Sequence, residues 1–150
     1  MRKIIAILFA SIFIISACEK DDFCTQNPVT PKLILRFYDA TSRNNIKSAS
    51  GLYVWADTKD SLYVNISTDS LVIPLNSNTN QTIYNIAKGN IVEQFTINYT
   101  PENKYVSRSC GFKVIFNQAT YTANNTWFSD ISVVSSTIDN QNKAHVQIFH

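Results

Sequence analysis

Leu33-Ile34-Leu35-Arg36-Phe37-Tyr38 is the stretch that decides the fold class. Leu33, Leu35 and Phe37 fall on one side, with Lys32, Arg36 and Tyr38 opposite. Successive side chains of an extended chain point to opposite faces, so this period of two reads as a half-buried strand. The same alternation recurs along the chain. Leu52, Val54 and Ala56 oppose Tyr53 and Trp55; Leu62, Val64 and Ile66 form a further stripe, and Leu71, Ile73 and Leu75 the next. After a polar loop at 76–81, strands are expected over 82–87 and 91–100, joined by a tight turn at Lys88-Gly89-Asn90. Pro101-Glu102-Asn103-Lys104 reads as a loop. Cys110, Phe112, Val114 and Phe116 line one face of the following strand, which points Cys110 inward. Residues 121–125 look irregular, and 128–138 with 143–149 read as a terminal hairpin around Asp139-Asn140-Gln141-Asn142.

No stretch after the first 17 residues has the 3.6-residue period of an amphipathic helix. About eight short strands with closely spaced turns predict an all-β domain, and an immunoglobulin-like two-sheet sandwich fits best. A small closed barrel is the alternative. Residues 32–150 are read as a single domain of this kind. They follow a tether over 18–31 in which Pro28 and Pro31 prevent regular pairing.

The N-terminus carries its own signal. Arg2 and Lys3 precede an apolar run from Ile4 to Ile15, broken only by Ser11. A dozen residues are too few to span about 30 Å of hydrocarbon as a helix. A charged start, a short apolar core and small residues before a break form a secretory signal, here residues 1–17. Ile15-Ser16-Ala17-Cys18 resembles the lipobox of bacterial lipoproteins, an aliphatic residue and two small residues before a cysteine. The resemblance implies that Cys18 is acylated and becomes the first residue of the mature chain. An ordinary signal with a coincidental cysteine is the alternative. Several acyl chains on one residue hold a protein to a bilayer durably, because each buried methylene contributes about 0.8 kcal/mol. Glu19-Lys20-Asp21-Asp22 resembles the surface-export signal of Bacteroidota lipoproteins. It implies an outer-membrane protein facing the cell exterior; a merely solvated tether would have the same composition.

Removing the signal changes the charge. Losing Arg2 and Lys3 leaves 11 Lys and Arg against 11 Asp and Glu, so the formal charge of +2 belongs to the signal. A neutral chain without a basic run lacks the electrostatic footprint of a nucleic-acid binder. Cys24 and Cys110 remain after Cys18 is set aside. Two cysteines in an exported chain invite a disulfide. Two buried thiols or a redox pair are the alternatives, the latter without a CxxC spacing to support it.

Catalytic chemistry is sparse. His150 is the last residue, and His145 alternates with Val146, which suggests a surface or cross-strand position. No nucleophile elbow, phosphate loop or zinc spacing occurs. Asp57, Asp60 and Asp69 lack the spacing of a calcium loop. No enzyme activity, cofactor or metal is expected. Aromatic residues carry the binding hypothesis. Tyr53 and Trp55 lie opposite the aliphatic stripe, and Tyr121 and Trp127 flank an Asn-rich loop. Flat rings beside amides suit stacking and hydrogen bonding to a sugar; burial in the core is the competing explanation. Asp60-Ser61-Leu62 and Asp69-Ser70-Leu71 resemble the Bacteroidota O-glycosylation pattern, which makes Ser61 and Ser70 candidate acceptors.

The mature chain also resembles a family of uncharacterised Bacteroidota lipoproteins of this length. The matching features are Cys24 in the tether, Thr30-Pro31-Lys32-Leu33, Phe37-Tyr38-Asp39, Ile73-Pro74-Leu75-Asn76 and Val106-Ser107-Arg108-Ser109-Cys110-Gly111. The resemblance implies the anchor, the Cys24–Cys110 pairing and the all-β fold, but no activity. The expected role is a lipid-anchored binding or accessory module whose partner is an envelope protein or a glycan. A structural envelope component is the second reading, and an enzyme with an unfamiliar site the third.

Overall fold

The alternating stripes become nine strands among the described residues: β1 (Leu33–Tyr38), β2 (Ala49–Ala56), β3 (Ser61–Thr68), β4 (Ser70–Ile73), β5 (Gln81–Lys88), β6 (Ile91–Ser107), β7 (Gly111–Ala123), β8 (Asp130–Val133) and β9 (Val146–Phe149). They come from a computed structural model of the chain, which describes residues 23–25, 29–57 and 59–150. The signal segment, Cys18 and Glu19 to Asp22 lie outside the described residues. Contacts divide the chain into two units, one of 29–104 with 113–150, the other of the chain up to Pro28 with Tyr105–Phe112.

The larger unit is a two-sheet β-sandwich, not a closed barrel. One sheet has the order β4-β1-β9-β8, the other β3-β2-β5-β6-β7. β1 pairs antiparallel with β4 and parallel with β9. A single residue, Asp69, separates β3 from β4, which are edge strands of opposite sheets. Its carbonyl accepts from the Phe37 N–H at 2.8 Å, and its carboxylate meets the Arg36 guanidinium at 3.1 Å. The chain thus changes sheets while remaining hydrogen-bonded.

The core lies between the sheets. Leu33, Leu35 and Phe37 of β1 face Leu52 and Val54 of β2, Ile86 of β5 and Phe95 and Ile97 of β6, all fully buried. Each such side chain contributes about 1.5–3 kcal/mol on removal from water. Lys88 pairs with Ile91 across the two-residue turn Gly89-Asn90. Gly89 has φ +60° there, as the mirror-image hairpin turns require.

Several stripes differ from their simple reading, and two bulges explain most of the difference. Leu62 and Val64 point outward and are exposed, while Tyr63 and Ile66 pack on the core. Asn65, at φ +49°, inserts an extra residue between them and inverts the alternation. Gln118, at φ +54°, does the same in β7, so that Phe116 and Ala119 are both buried. The loop expected at 101–104 is strand. Beyond Asn98, β6 has lost β5 as its ladder partner, so the absent N–H of Pro101 costs no bond on that side. β7 continues through 121–123, where irregular chain was expected. Cys110 is not on the inward face of a strand but in the turn before β7, and Phe112 is exposed. The expected terminal hairpin forms, but over the shorter pair β8 and β9.

Of the two positions expected for His145, the structure gives the cross-strand one and not the surface one: its backbone N–H donates to the Ile34 carbonyl at 2.9 Å. His145 is 3 % exposed, and its Nδ1 accepts the Ile34 N–H at 3.1 Å. Nε2 therefore carries the proton and faces the Asn140 carbonyl at 3.1 Å. Burial holds the imidazole below its ordinary value of 6.5, partly opposed by the Asn140 bond and the Asp139 charge. The neutral ring belongs to the folded state, so its stabilisation is whole above 6.5 and drains as pH falls below it. In ¹⁵N-edited NMR titrations His145 should keep the Nε2–H tautomer through pH 6.5; a midpoint at or above that value would contradict this arrangement.

Candidate functional site

The four aromatic residues singled out from the sequence do not form one site. Trp127 is built into the sandwich. Its Nε1–H donates to the Ile86 carbonyl at 2.9 Å, and its ring lies 4.5 Å from that of Phe128 and 5.8 Å from that of Phe37. The Lys88 ammonium sits over its face at 5.2 Å. Tyr121 stacks on Phe95 at 6.0 Å, with 10° between the rings, and its hydroxyl lies 3.4 Å from the Ser135 carbonyl. Burial pushes that phenol far above its ordinary value. Both residues therefore pack on the core.

Trp127 is held in place by a residue the sequence reading passed over. Glu93 is 0 % exposed and occupies an inward position of β6, in line with Phe95, Ile97 and Tyr99. Its Oε2 accepts from the N–H groups of Thr126, Trp127 and Phe128 at 2.6, 3.1 and 3.3 Å, and lies 2.8 Å from the Thr126 hydroxyl. Three successive N–H groups form a concave nest for the carboxylate charge. Oε1 is buried with no hydrogen-bond partner, so a proton there would have nothing to donate to. Burial raises the carboxyl, but the Thr126 hydroxyl and the three N–H donors outweigh it, and the group rests below its ordinary value. A charged residue in register with an aromatic stripe was the signal that could have found it.

Tyr53 and Trp55 have the opposite setting. They stand on the outer face of the five-stranded sheet, because Leu52 and Val54 take the inner one. The pairs Tyr53–Ala87 and Trp55–Asn85 place the small Ala87 side chain beside the rings and leave a shallow groove. Its volume is about 640 Å³, and Lys59, Asp60, Ser61, Asn90 and Val92 complete its lining. Among the described residues, the Trp55 indole N–H, the Tyr53 hydroxyl and the side chains of Lys59, Asp60, Ser61 and Asn90 make no intramolecular hydrogen bond or ion pair. The groove thus joins an aromatic floor to a rim of solvent-exposed donors and acceptors that are not engaged within the chain. Lys59 also borders a second groove of about 560 Å³, lined by Asp57, Asn76, Thr79, Gln81 and Tyr84 among others. Of the two serines in the glycosylation pattern, Ser61 is exposed on the first groove, whereas Ser70 is half-buried at the start of β4. Asp69, the third acidic residue of the series, is engaged by Arg36.

In the smaller unit Cys24 and Cys110 form a disulfide with their Cα atoms 4.8 Å apart, across 86 residues of sequence. The Cys110 N–H donates to the Ser107 hydroxyl at 3.0 Å, which shapes the turn that presents the Cys110 sulfur to Cys24. Gly111 follows at φ +71°, a conformation a residue with a Cβ adopts only with strain.

No curated protein and no solved structure shows significant similarity to the chain. A family model does match: it covers residues 51–150, from β2 through β9 and including Trp55, Glu93, Cys110 and Trp127, and the chain belongs to that family, described as "Family of unknown function (DUF6452)".

Proposed function

We propose that this protein is a lipid-anchored envelope protein of Bacteroidota type that binds carbohydrate in the groove floored by Tyr53 and Trp55. Cys18 would carry the acyl chains, and the charged residues 19–22 would direct the domain to the cell exterior. Support for the anchor is the lipobox-like Ile15-Ser16-Ala17-Cys18 after a secretory signal.

One observation carries the binding role. Trp55 and Tyr53 keep their polar atoms unengaged beside Lys59, Asp60, Ser61 and Asn90, whereas Trp127 and Tyr121 direct theirs at backbone carbonyls. A ring face that covers sugar C–H groups, next to amides and hydroxyls for the sugar hydroxyls, is the composition a saccharide site needs. The shallow shape suits a chain of neutral sugars passing over the surface.

Affinity electrophoresis through gels containing purified polysaccharides tests this reading. At least one neutral polysaccharide should retard the domain, and Trp55→Ala should weaken that retardation about tenfold or more without loss of fold, since stacking contacts are worth about 0.5–1.5 kcal/mol beyond buried area. Migration unaffected by every polysaccharide tried would dispose of the glycan reading.

A protein partner is the second reading. Leu62 and Val64 are exposed on the uncharged edge strand β3, beside Tyr53 and Trp55 in the sheet order. Edge strands of this kind accept a further strand from another chain. Cross-linking on native membranes would then capture an envelope protein through β3.

A further inference from the structure

The smaller unit holds three large aromatic side chains in water. Phe23 is 85 % exposed, Phe112 64 % and Tyr105 59 %. The rings of Tyr105 and Phe112 meet edge-on at 5.4 Å, so they present one patch rather than two scattered residues. Arg108, in the turn between them, is exposed and has no carboxylate partner among the described residues.

We propose that this unit seats on the membrane, with Phe23, Tyr105 and Phe112 at headgroup level, as a second contact beside the acyl chains. The inference rests on acylation of Cys18, as proposed above. Covalent geometry supplies the argument. Cys24 lies six residue steps after Cys18, so their Cα atoms are at most about 22 Å apart. The disulfide puts the Cα of Cys110 only 4.8 Å further away. The turn is therefore confined near the bilayer surface by two covalent links, the lipid at one end and the disulfide at the other. Aromatic rings with a polar edge or a nearby cation favour that interface, where the ring is partly dehydrated and the polar group stays wet.

Charge narrows the choice of lipid. Glu19, Asp21 and Asp22 outnumber Lys20 in the tether, and Arg108 adds one cation. Attraction to an anionic surface is weak for this set, so aromatic burial carries the contact and it should hold on zwitterionic lipid. Each ring leaves water only in part, so the patch orients a protein already tethered instead of recruiting it from solution.

The test uses the lipidated chain, confirmed by intact mass, in phosphatidylcholine vesicles containing lipids brominated near the headgroup end of the acyl chain. A Phe112→Trp variant adds one emitter to Trp55 and Trp127. The added emission should fall by about half or more, as for a residue of the interfacial aromatic belt, while the unmutated chain loses little. On the unmutated chain, amide exchange over 105–112 should slow in vesicles relative to the unlipidated protein. Acylated protein whose added emission is unquenched and whose exchange is unchanged would overturn the seating alone. A mass without acyl chains would overturn the anchor and the seating together.

Discussion

Glu93→Ala is expected to cost about 2–4 kcal/mol of folding stability, because it removes a buried carboxylate that gathers three backbone N–H groups, of which that of Phe128 is fully buried. The N–H groups of 126–128 have Oε2 as their shared acceptor, and Trp127 and Phe128 pack on Phe37 and Phe95 from that turn. Losing the acceptor therefore also loosens aromatic packing between the sheets. Glu93→Gln retains an amide oxygen but gives up the charge and brings a buried NH₂ without an acceptor. It should cost less than alanine, about 1.5–3 kcal/mol. Urea unfolding followed by tryptophan emission measures both. Equal stability of Glu93→Gln and the unmutated chain would show that charge is irrelevant to the nest.

The same carboxylate gives a pH dependence. Its folded value lies below the ordinary 4.5, so its contribution is present above 4.5 and drains as pH falls through the folded value. His145 loses its contribution first, below 6.5. Acid should therefore weaken the domain in two stages, and Glu93→Gln should flatten the lower one.

Reduction of the Cys24–Cys110 bond is the second large effect. Closing a loop across 86 residues stabilises by about 4–5 kcal/mol in the chain-entropy model. The reduced folded chain recovers freedom in the few residues around Cys24, which offsets part of this. The expected loss is about 2–4 kcal/mol, seen as a lower urea midpoint with dithiothreitol and in the Cys24→Ser, Cys110→Ser double variant. An unchanged midpoint would mean that the bond organises the tether without stabilising the sandwich.

The strands were legible because alternation survives in a single sequence. Leu33, Leu35 and Phe37 announced the inner face of β1, and Leu52 with Val54 that of β2. Their sheet partners were not legible. Nothing local in Val146–Phe149 says that it pairs parallel with β1, because that contact joins chain ends more than 100 residues apart. The bulges at Asn65 and Gln118 were missed for a different reason. A positive φ at Asn or Gln leaves no mark in composition, yet each inverts the faces of everything beyond it.

The candidate site was half legible. Lying opposite an aliphatic stripe correctly put Tyr53 and Trp55 outside. The Asn-rich loop beside Trp127 suggested a second open platform, but Glu93, which the sequence reading passed over, draws that loop inward. Cysteine arithmetic succeeded because only one pairing of Cys24 and Cys110 exists once Cys18 is set aside.

The disulfide also redraws the path of mechanical load. Tension applied upstream of Cys24 reaches a branch point there, and the covalent bond passes a share of it straight to Cys110. β1 follows soon after Cys24 in the chain and holds its sheet together between β4 and β9. Were the chain anchored upstream as proposed, drag on the domain without this branch would pull along β1 and shear its parallel ladder with β9. With it, part of that strain would pass to the turn between β6 and β7, and β1, an inner strand of the four-stranded sheet, would not carry it alone.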